Sequence, residues 1–260
     1  MNNRFQKLLI LSDYDGTFAG RDSCLVPRNL EAITRFQAQG GHFSFSTGRL
    51  PSVMKELCPS FRSIANAPLI LCNGALLYDP KSDSLLGEWV FDGMAARHMV
   101  RDILARFPSV RFTVYSDDAV LLENLSPEAV PGNRWRKINF FARDEETAIA
   151  VRDYLAVAYA DRYRAFRSFA ICTEVVDRSI SKGKRIEDLR AYYRTQGIDG
   201  LTIYAIGDYE NDIDMLRHAD RAYCPANAIE PVKTICHRVL GHHDNGCIAD
   251  LIEAIEAGEA

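Results

Sequence analysis

Positive charge is not in excess in this chain. Its 260 residues carry 31 Lys and Arg against 35 Asp and Glu, a formal net charge of −4. No global positive field therefore draws in a nucleic-acid backbone or an anionic membrane, and the expectation is no nucleic-acid partner and no membrane partner. Long apolar runs are missing too. The opening MNNRFQKLLIL stops at Asp13, too short for a signal peptide or a membrane span, and reads as a first strand. Cysteine is sparse and unpatterned. The seven, at 24, 58, 72, 172, 224, 236 and 247, are odd in number and include no C-x-x-C pair, which speaks against a disulfide framework and for a reducing, cytoplasmic compartment. The cluster Cys236, His237, His242, His243 and Cys247 invites zinc, but its spacing fits no standard ligand pattern, and His242 and His243 are read as surface. Low-complexity segments and internal repeats are also lacking.

What is present is an ordinary globular composition, 47% hydrophobic and 25% charged, with length for a core plus a second, smaller domain. FQKLLILS, NLEAITRFQAQG, HFSFST, PSVMKELC and PLILC alternate strand-like and helix-like patterns, the signature of βαβ units and a parallel sheet. Pro27 before and Gly40-Gly41 after punctuate a helix over 29–39. The rhythm returns in SKGKRIEDLRAYYRTQG, LTIYAIG, ENDIDMLRHA and GCIADLIEAIEA. Between them the apolar runs give way to alternation, as in VRFTVYSDDAVLLE, WRKINFFA and FAICTEVV, with helical patterns at 94–107 and 145–159. The expected fold is α/β: a Rossmann-like, doubly wound parallel sheet from residues 1–78 and 179–260, with an α+β cap domain inserted over 79–178.

In open α/β sheets ligands bind beyond the carboxyl ends of the strands. Polar residues gather at four such ends: Asp13 and Asp15 after LLILS, Thr47-Gly48-Arg49 after HFSFS, Asn73-Gly74 after PLILC, and Gly207-Asp208 with Asn211-Asp212 after LTIYAI. Two carboxylates about 4 Å apart repel by about 4 kcal/mol at an effective dielectric near 20, so their convergence calls for a cation. An all-oxygen donor set selects a hard ion such as Mg²⁺, which commonly adds a substrate phosphate. Thr47 offers a hydroxyl, Gly48 an unobstructed N–H, and Lys182 a positive charge near a helix start. Each residue type also has a plainer use. Asp13 and Asp15 suit a turn, Thr47 a helix cap, Arg49 a surface ion pair or a substrate contact, Asn73-Gly74 a hairpin, and Lys184 and Arg185 rival Lys182 for an anion.

DYDGT, STGR, SKGKR and GDYENDIDM, in that order, resemble the four motifs of the haloacid dehalogenase-like hydrolase superfamily, and CNGALLYD and PANAIEPVK resemble its Cof-type, subclass IIB, members. The resemblance implies that Asp13 is a nucleophile forming an aspartyl-phosphate, and that Asp15 is general acid and then general base. It implies that Thr47, Gly48, Lys182 and Asn211 hold phosphate. The metal ligands would be Asp13, Asp208 and the backbone carbonyl of Asp15, with Asp212 supporting them. P-type ATPases, which preserve the phosphoenzyme, carry Thr where this chain has Asp15, so hydrolysis is favoured over a pump. Tyr14 replaces the commoner Leu without touching the chemistry. The implied activity is a Mg²⁺-dependent phosphatase acting on small phosphorylated metabolites, sugar phosphates first, with the cap setting specificity. A sugar phosphomutase and a non-catalytic phosphometabolite-binding protein are the alternatives. Trp135, Arg136, Lys137, Tyr115 and Arg134 are open candidates for substrate contact.

Overall fold

Leu9, Ile10 and Leu11 are all fully buried, which a strand achieves only when both its faces are covered. They belong to β1 (Leu8–Ser12) of a computed structural model that describes residues 3–116, 120–121, 126–130 and 132–260. The chain continues through α1 (Pro27–Ala38), β2 (His42–Phe45), α2 (Pro51–Leu57), α3 (Phe61–Ile64), β3 (Leu69–Leu71), β4 (Leu76–Asp79) and β5 (Ser84–Glu88). Pro27 opens α1, where its missing N–H costs nothing, and Ala32, Ile33 and Phe36 form its buried stripe. The chain reverses at Gly40, at φ +88°, and at Gly41 a side chain would meet the Phe36 ring at 2.4 Å. β4 pairs back antiparallel on β3.

Next come β6 (Phe91–Asp92), α4 (Gly93–Arg106), β7 (Arg111–Ser116), β8 (Val120–Leu121), β9 (Arg134–Phe141), α5 (Glu145–Ala158), β10 (Tyr163–Phe169) and β11 (Cys172–Asp177). The chain then returns to alternation with α6 (Lys184–Thr195), β12 (Thr202–Ile206), α7 (Ile213–His218), β13 (Arg221–Cys224), α8 (Glu230–Lys233), β14 (Arg238–Val239) and α9 (Cys247–Ala257). It divides into two compact units, Met1–Gly87 with Lys182–Ala260, and Glu88–Ser181.

The first unit holds a parallel sheet of order β14-β13-β12-β1-β2. A parallel bridge between Ser46 and Ile70 brings β3 alongside β2. β1 therefore lies between β12 and β2, with Leu9 opposite both Ile203 and His42. The sheet grows outward in opposite directions from this pair, which makes the gap between β1 and β12 the topological switch point, where α/β sheets bind ligands. α1 packs with α9, and α6 with α7.

The second unit is an antiparallel sheet of order β10-β11-β9-β7-β8, with β6 paired to β9. Met99 and Ile103 of α4 and Val151 and Leu155 of α5 join Ile138, Phe140 and Val175 of the sheet in one core. Asp92 and Asp144 cap the two helices, accepting from the N–H groups of Met94 and Thr147 at 2.8 Å each. The alternating segment FAICTEVV starts on the last residue of β10, turns at Ala170 and Ile171 and continues as β11. Of VRFTVYSDDAVLLE, residues 117–119, 122 and 123 lie outside the described residues.

Candidate active site

The ladder of the parallel sheet runs one residue past the regular strands and fixes the ends that carry the polar residues. Asp13 N–H donates to Ile206 C=O (2.9 Å), Ser46 N–H to Ser12 C=O (2.8 Å), Thr47 N–H to Ile70 C=O (2.9 Å) and Asn73 N–H to Thr47 C=O (3.0 Å). Asp13 thus leaves β1 at the switch point. The following Tyr14 turns inward, fully buried between Phe18 and Phe45, so its bulk serves the core beneath the site.

Lys182 is the centre of the polar cluster. Its side chain is fully buried, and Nζ donates to Asp13 Oδ1 and to Asp212 Oδ1, both at 2.7 Å. Carboxylate oxygens of Asp13, Asp208 and Asp212 all lie within 4.8 Å of one another. One ammonium against three carboxylates leaves the group short of positive charge. Burial, then the Asp212 charge, pushes the Asp13 carboxyl well above its usual range despite Lys182. Burial and Asp212 push Asp208 up to about 7. Burial opposes the charge of Lys182, but the flanking carboxylates hold it protonated. This shortage, with oxygen the only donor on offer, fits a hard divalent cation. Asp13 and Asp208 are the side chains that would hold it. Asp212 is largely spent elsewhere, since its Oδ2 accepts from the N–H groups of Asp208 (3.0 Å) and Tyr209 (3.2 Å).

Asp208 is tied to the loop after β1, where Thr17 Oγ1 donates to its Oδ1 at 2.8 Å. Gly16, at φ +70°, lets that loop pass; a Cβ there would lie 2.6 Å from Asp208 Oδ2. Asn227 Nδ2 donates to Gly16 C=O (2.8 Å) and pins the loop from the other side.

Thr47 is buried and its Oγ1 accepts from Arg49 N–H at 3.3 Å. It caps no helix, because α2 begins only at Pro51. Asn73 sits in the tight turn from β3 to β4 at φ +55°, so Asn73-Gly74 is indeed a hairpin turn. Its Oδ1 accepts from Asn211 Nδ2 at 3.4 Å, and its amide lies 3.1 Å from where a Cβ of Gly48 would be. Thr47, Gly48, Asn73 and Asn211 thereby form a second, uncharged wall. Asp15 stands apart from the buried carboxylates. It is exposed, and Arg49 grips both its oxygens, Nε to Oδ2 at 2.7 Å and Nη2 to Oδ1 at 2.5 Å.

Sequence reasoning passed over Thr17 and Asn227, which act only through side-chain reach between segments far apart in the chain. Of the candidate substrate contacts in the second unit, Trp135 is fully buried in its core. Arg134 and Arg136 both pair with Glu88 (2.9 and 2.6 Å). Lys137 pairs with Glu174 at 2.8 Å, and its ammonium lies 4.4 Å from the Tyr115 ring centre. The Cys and His residues near the C-terminus are split between tasks. Cys247 Sγ donates to Thr17 C=O and His237 Nδ1 accepts from Ala222 N–H. His242, His243 and Asp244 do come together, but Asp244 accepts from Arg21 N–H (2.6 Å) and His243 Nδ1 bonds Ala19 C=O (2.7 Å). They staple the end of the loop after β1 to the C-terminal segment.

The family model for haloacid dehalogenase-like hydrolase matches residues 10–130 and 123–252. Among curated proteins, the chain is 23% identical over 266 residues to the 5-amino-6-(5-phospho-D-ribitylamino)uracil phosphatase YitU of Bacillus subtilis, covering 94% of this chain and 96% of that one. Among solved structures, the subclass IIB sugar phosphatase BT4131 shares the fold with a TM-score of 0.79 at 19% identity, over 95% of this chain and 98% of the other. SMU.1108c from Streptococcus mutans does so with a TM-score of 0.80 at 20% identity, over 96% and 98%. The chain belongs to the haloacid dehalogenase-like hydrolase family. It is a phosphoric monoester hydrolase acting on small phosphorylated metabolites, and its aspartate cluster suits an aspartyl-phosphate intermediate. Among the described residues no helix is long and apolar enough to cross a membrane.

Proposed function

We propose a cytoplasmic, Mg²⁺-dependent phosphatase whose leading substrates are sugar phosphates, followed by phosphorylated cofactors such as pyridoxal phosphate or flavin mononucleotide. The observation that carries this reading is Lys182 buried between Asp13 and Asp212, with Asp208 in the same cluster and Asp15 two residues beyond the nucleophile. The phosphate esters named for two relatives, one on a ribityl chain and one on a sugar, support the substrate class.

In this reading Asp13 attacks phosphorus as the ester P–O bond breaks, and the Asp15 carboxyl gives its proton to the departing alkoxide. The Asp15 carboxylate then takes a proton from water as that water attacks the phosphorus of the aspartyl-phosphate. Phosphate leaves and Asp13 is restored. Lys182 neutralises Asp13 beforehand and the phosphoryl oxygens during transfer. Thr47, Gly48 and Asn211 orient those oxygens. A bound Mg²⁺, held by Asp13, Asp208 and the Asp15 carbonyl, would supply positive charge to the phosphoryl group. Specificity for the leaving group is assigned to the inserted unit.

Phosphate release across a panel of sugar phosphates and phosphorylated cofactors, with and without Mg²⁺, tests the reading. Release without isomerised sugar marks a phosphatase, whereas an isomer as the main product would make the chain a mutase. Asp15→Asn should slow turnover of alkyl phosphates by about 10²–10⁴-fold, the usual contribution of an acid/base. A variant as fast as the wild type would remove Asp15 from the mechanism.

Metal should also show in stability. Asp208 is pushed up to about 7, above its unfolded value. Its contribution is therefore fully present below about pH 4 and is lost as pH rises through 7. The melting temperature of metal-free protein should fall between pH 5 and 8, and Mg²⁺ should flatten that fall. At a hundredfold excess over Kd the gain at pH 8 is about 2.7 kcal/mol, roughly 5–10 °C. Melting curves indifferent to Mg²⁺ at pH 8 would count against a cation at these carboxylates.

A further inference from the structure

The clamp between Arg49 and Asp15 lies outside the buried cluster, and its geometry is specific. Both nitrogens of one edge of the guanidinium meet both oxygens of one carboxylate, at 2.7 and 2.5 Å. This is the bidentate fork that fixes orientation as well as charge. Its two roots are held independently. The Arg49 backbone N–H donates to Thr47 Oγ1 at 3.3 Å, and its C=O accepts from Cys72 N–H at 3.1 Å. The loop after Asp15 is held at Gly16 by Asn227. The clamp therefore bridges the ends of β1 and β2 on the exposed side of the buried carboxylates.

The fork takes the near lone pair of each oxygen, leaving only the outward lone pairs to meet a proton or a leaving group. For an oxygen to turn its near side to the leaving group, one arm of the fork opens and that oxygen takes up a proton from solvent. If the Nε arm stays closed, the freed oxygen swings about a fixed point instead of through the full rotamer range of an exposed aspartate. Side chains of Asp15 and Arg49 that are 48% and 31% exposed make a weak pair in stability terms, so the opening is easy. We infer that Arg49 is a positioning residue for the acid/base carboxylate, the bidentate clamp on Asp15 being the resting state from which one oxygen is delivered to the leaving group. This rests on the phosphatase reading above and assigns Arg49 no contact with phosphate.

A series of monoesters with leaving groups from poor to good separates the possibilities: benzyl, phenyl and 4-nitrophenyl phosphate, with kcat and KM measured separately. A good leaving group departs with little help from an acid, so a positioning defect should grow along the series toward benzyl. Arg49→Gln is expected to lower kcat on benzyl phosphate by about 10- to 100-fold, the scale of a misplaced catalytic group, and on 4-nitrophenyl phosphate by at least tenfold less. In an Asp15→Asn background the same substitution should add less than about threefold, because the two act as one unit. Arg49→Lys, which keeps charge without the fork, should show the same trend with smaller amplitude and covers the event that Arg49→Gln folds poorly. A uniform loss across the series, a rise confined to KM, or additive losses in the double variant would each overturn the inference, the second by making Arg49 a phosphate ligand. A wild-type protein that hydrolyses none of these esters or the metabolite panel would instead sink the phosphatase reading itself.

Discussion

Asp13→Asn is expected to be a folded protein without turnover. The asparagine matches the shape of the carboxyl, and Lys182 keeps Asp212 as its partner at 2.7 Å, so the buried ammonium is not stranded. Removing one of three crowded carboxylates even relieves repulsion, since burial and Asp212 already push Asp13 toward its neutral form. The metal-free variant should therefore melt at or above the wild-type temperature. Its amide, however, cannot form the acyl-phosphate bond. Loss of kcat should reach about 10⁵–10⁶-fold, the scale seen when a covalent nucleophile is deleted. Phosphate release by purified variant, with a melting curve from the same sample, checks both halves. Normal release would remove Asp13 as nucleophile. A variant that is inactive because it is unfolded would contradict the account of the cluster's electrostatics.

Lys182→Met should have the opposite balance, with a large effect on stability. The lysine stem is as buried as any core residue, and methionine fills most of that space. What is lost is the ammonium that pairs with both Asp13 and Asp212. Breaking a buried pair by removing one member costs about 3–5 kcal/mol, because the remaining charge stays uncompensated; two carboxylates are left here. A fall in melting temperature of about 6–20 °C follows for a domain of this size. The sign of the pH dependence separates charge from packing. Without Lys182 the Asp13 carboxyl, already held above its usual range, is pushed further up, so the deficit is small in acid and develops as pH rises toward neutrality. Melting curves at pH 5 and pH 8 decide it: a deficit equal at both would mean lost packing rather than lost charge.

The parallel core was legible because its strands are short, apolar and punctuated. LLILS and TIYAI became β1 and β12, and polar residues immediately after them had to face the crevice. Asp13, Asp208 and Asp212 could thus be collected from the chain alone, and Lys182 from its place near a helix start. Arg49 stayed ambiguous because its role depends on which loop lies across from it, a property of strand order. Thr17 went unnoticed because only the approach of Asp208 gives its hydroxyl a purpose. In the inserted unit the pattern gave the class of sheet but not the hairpin at Ala170 and Ile171. There Phe169, Ile171 and Cys172 look continuous although Phe169 and Ile171 are exposed.

The pairing of Leu8 with Thr202 and of Ser12 with Ile206 also governs how the protein must be made. On a ribosome adding about 5–20 residues per second, β1 is synthesised about 10–40 s before its neighbour β12. During that interval one of the most apolar segments of the chain has an open hydrogen-bonding edge, with β2 alone able to protect the other. Slow nucleation by long-range strand pairing and a need for chaperone cover during synthesis are consequences of setting the strand that ends at Asp13 so far along the chain from its partner.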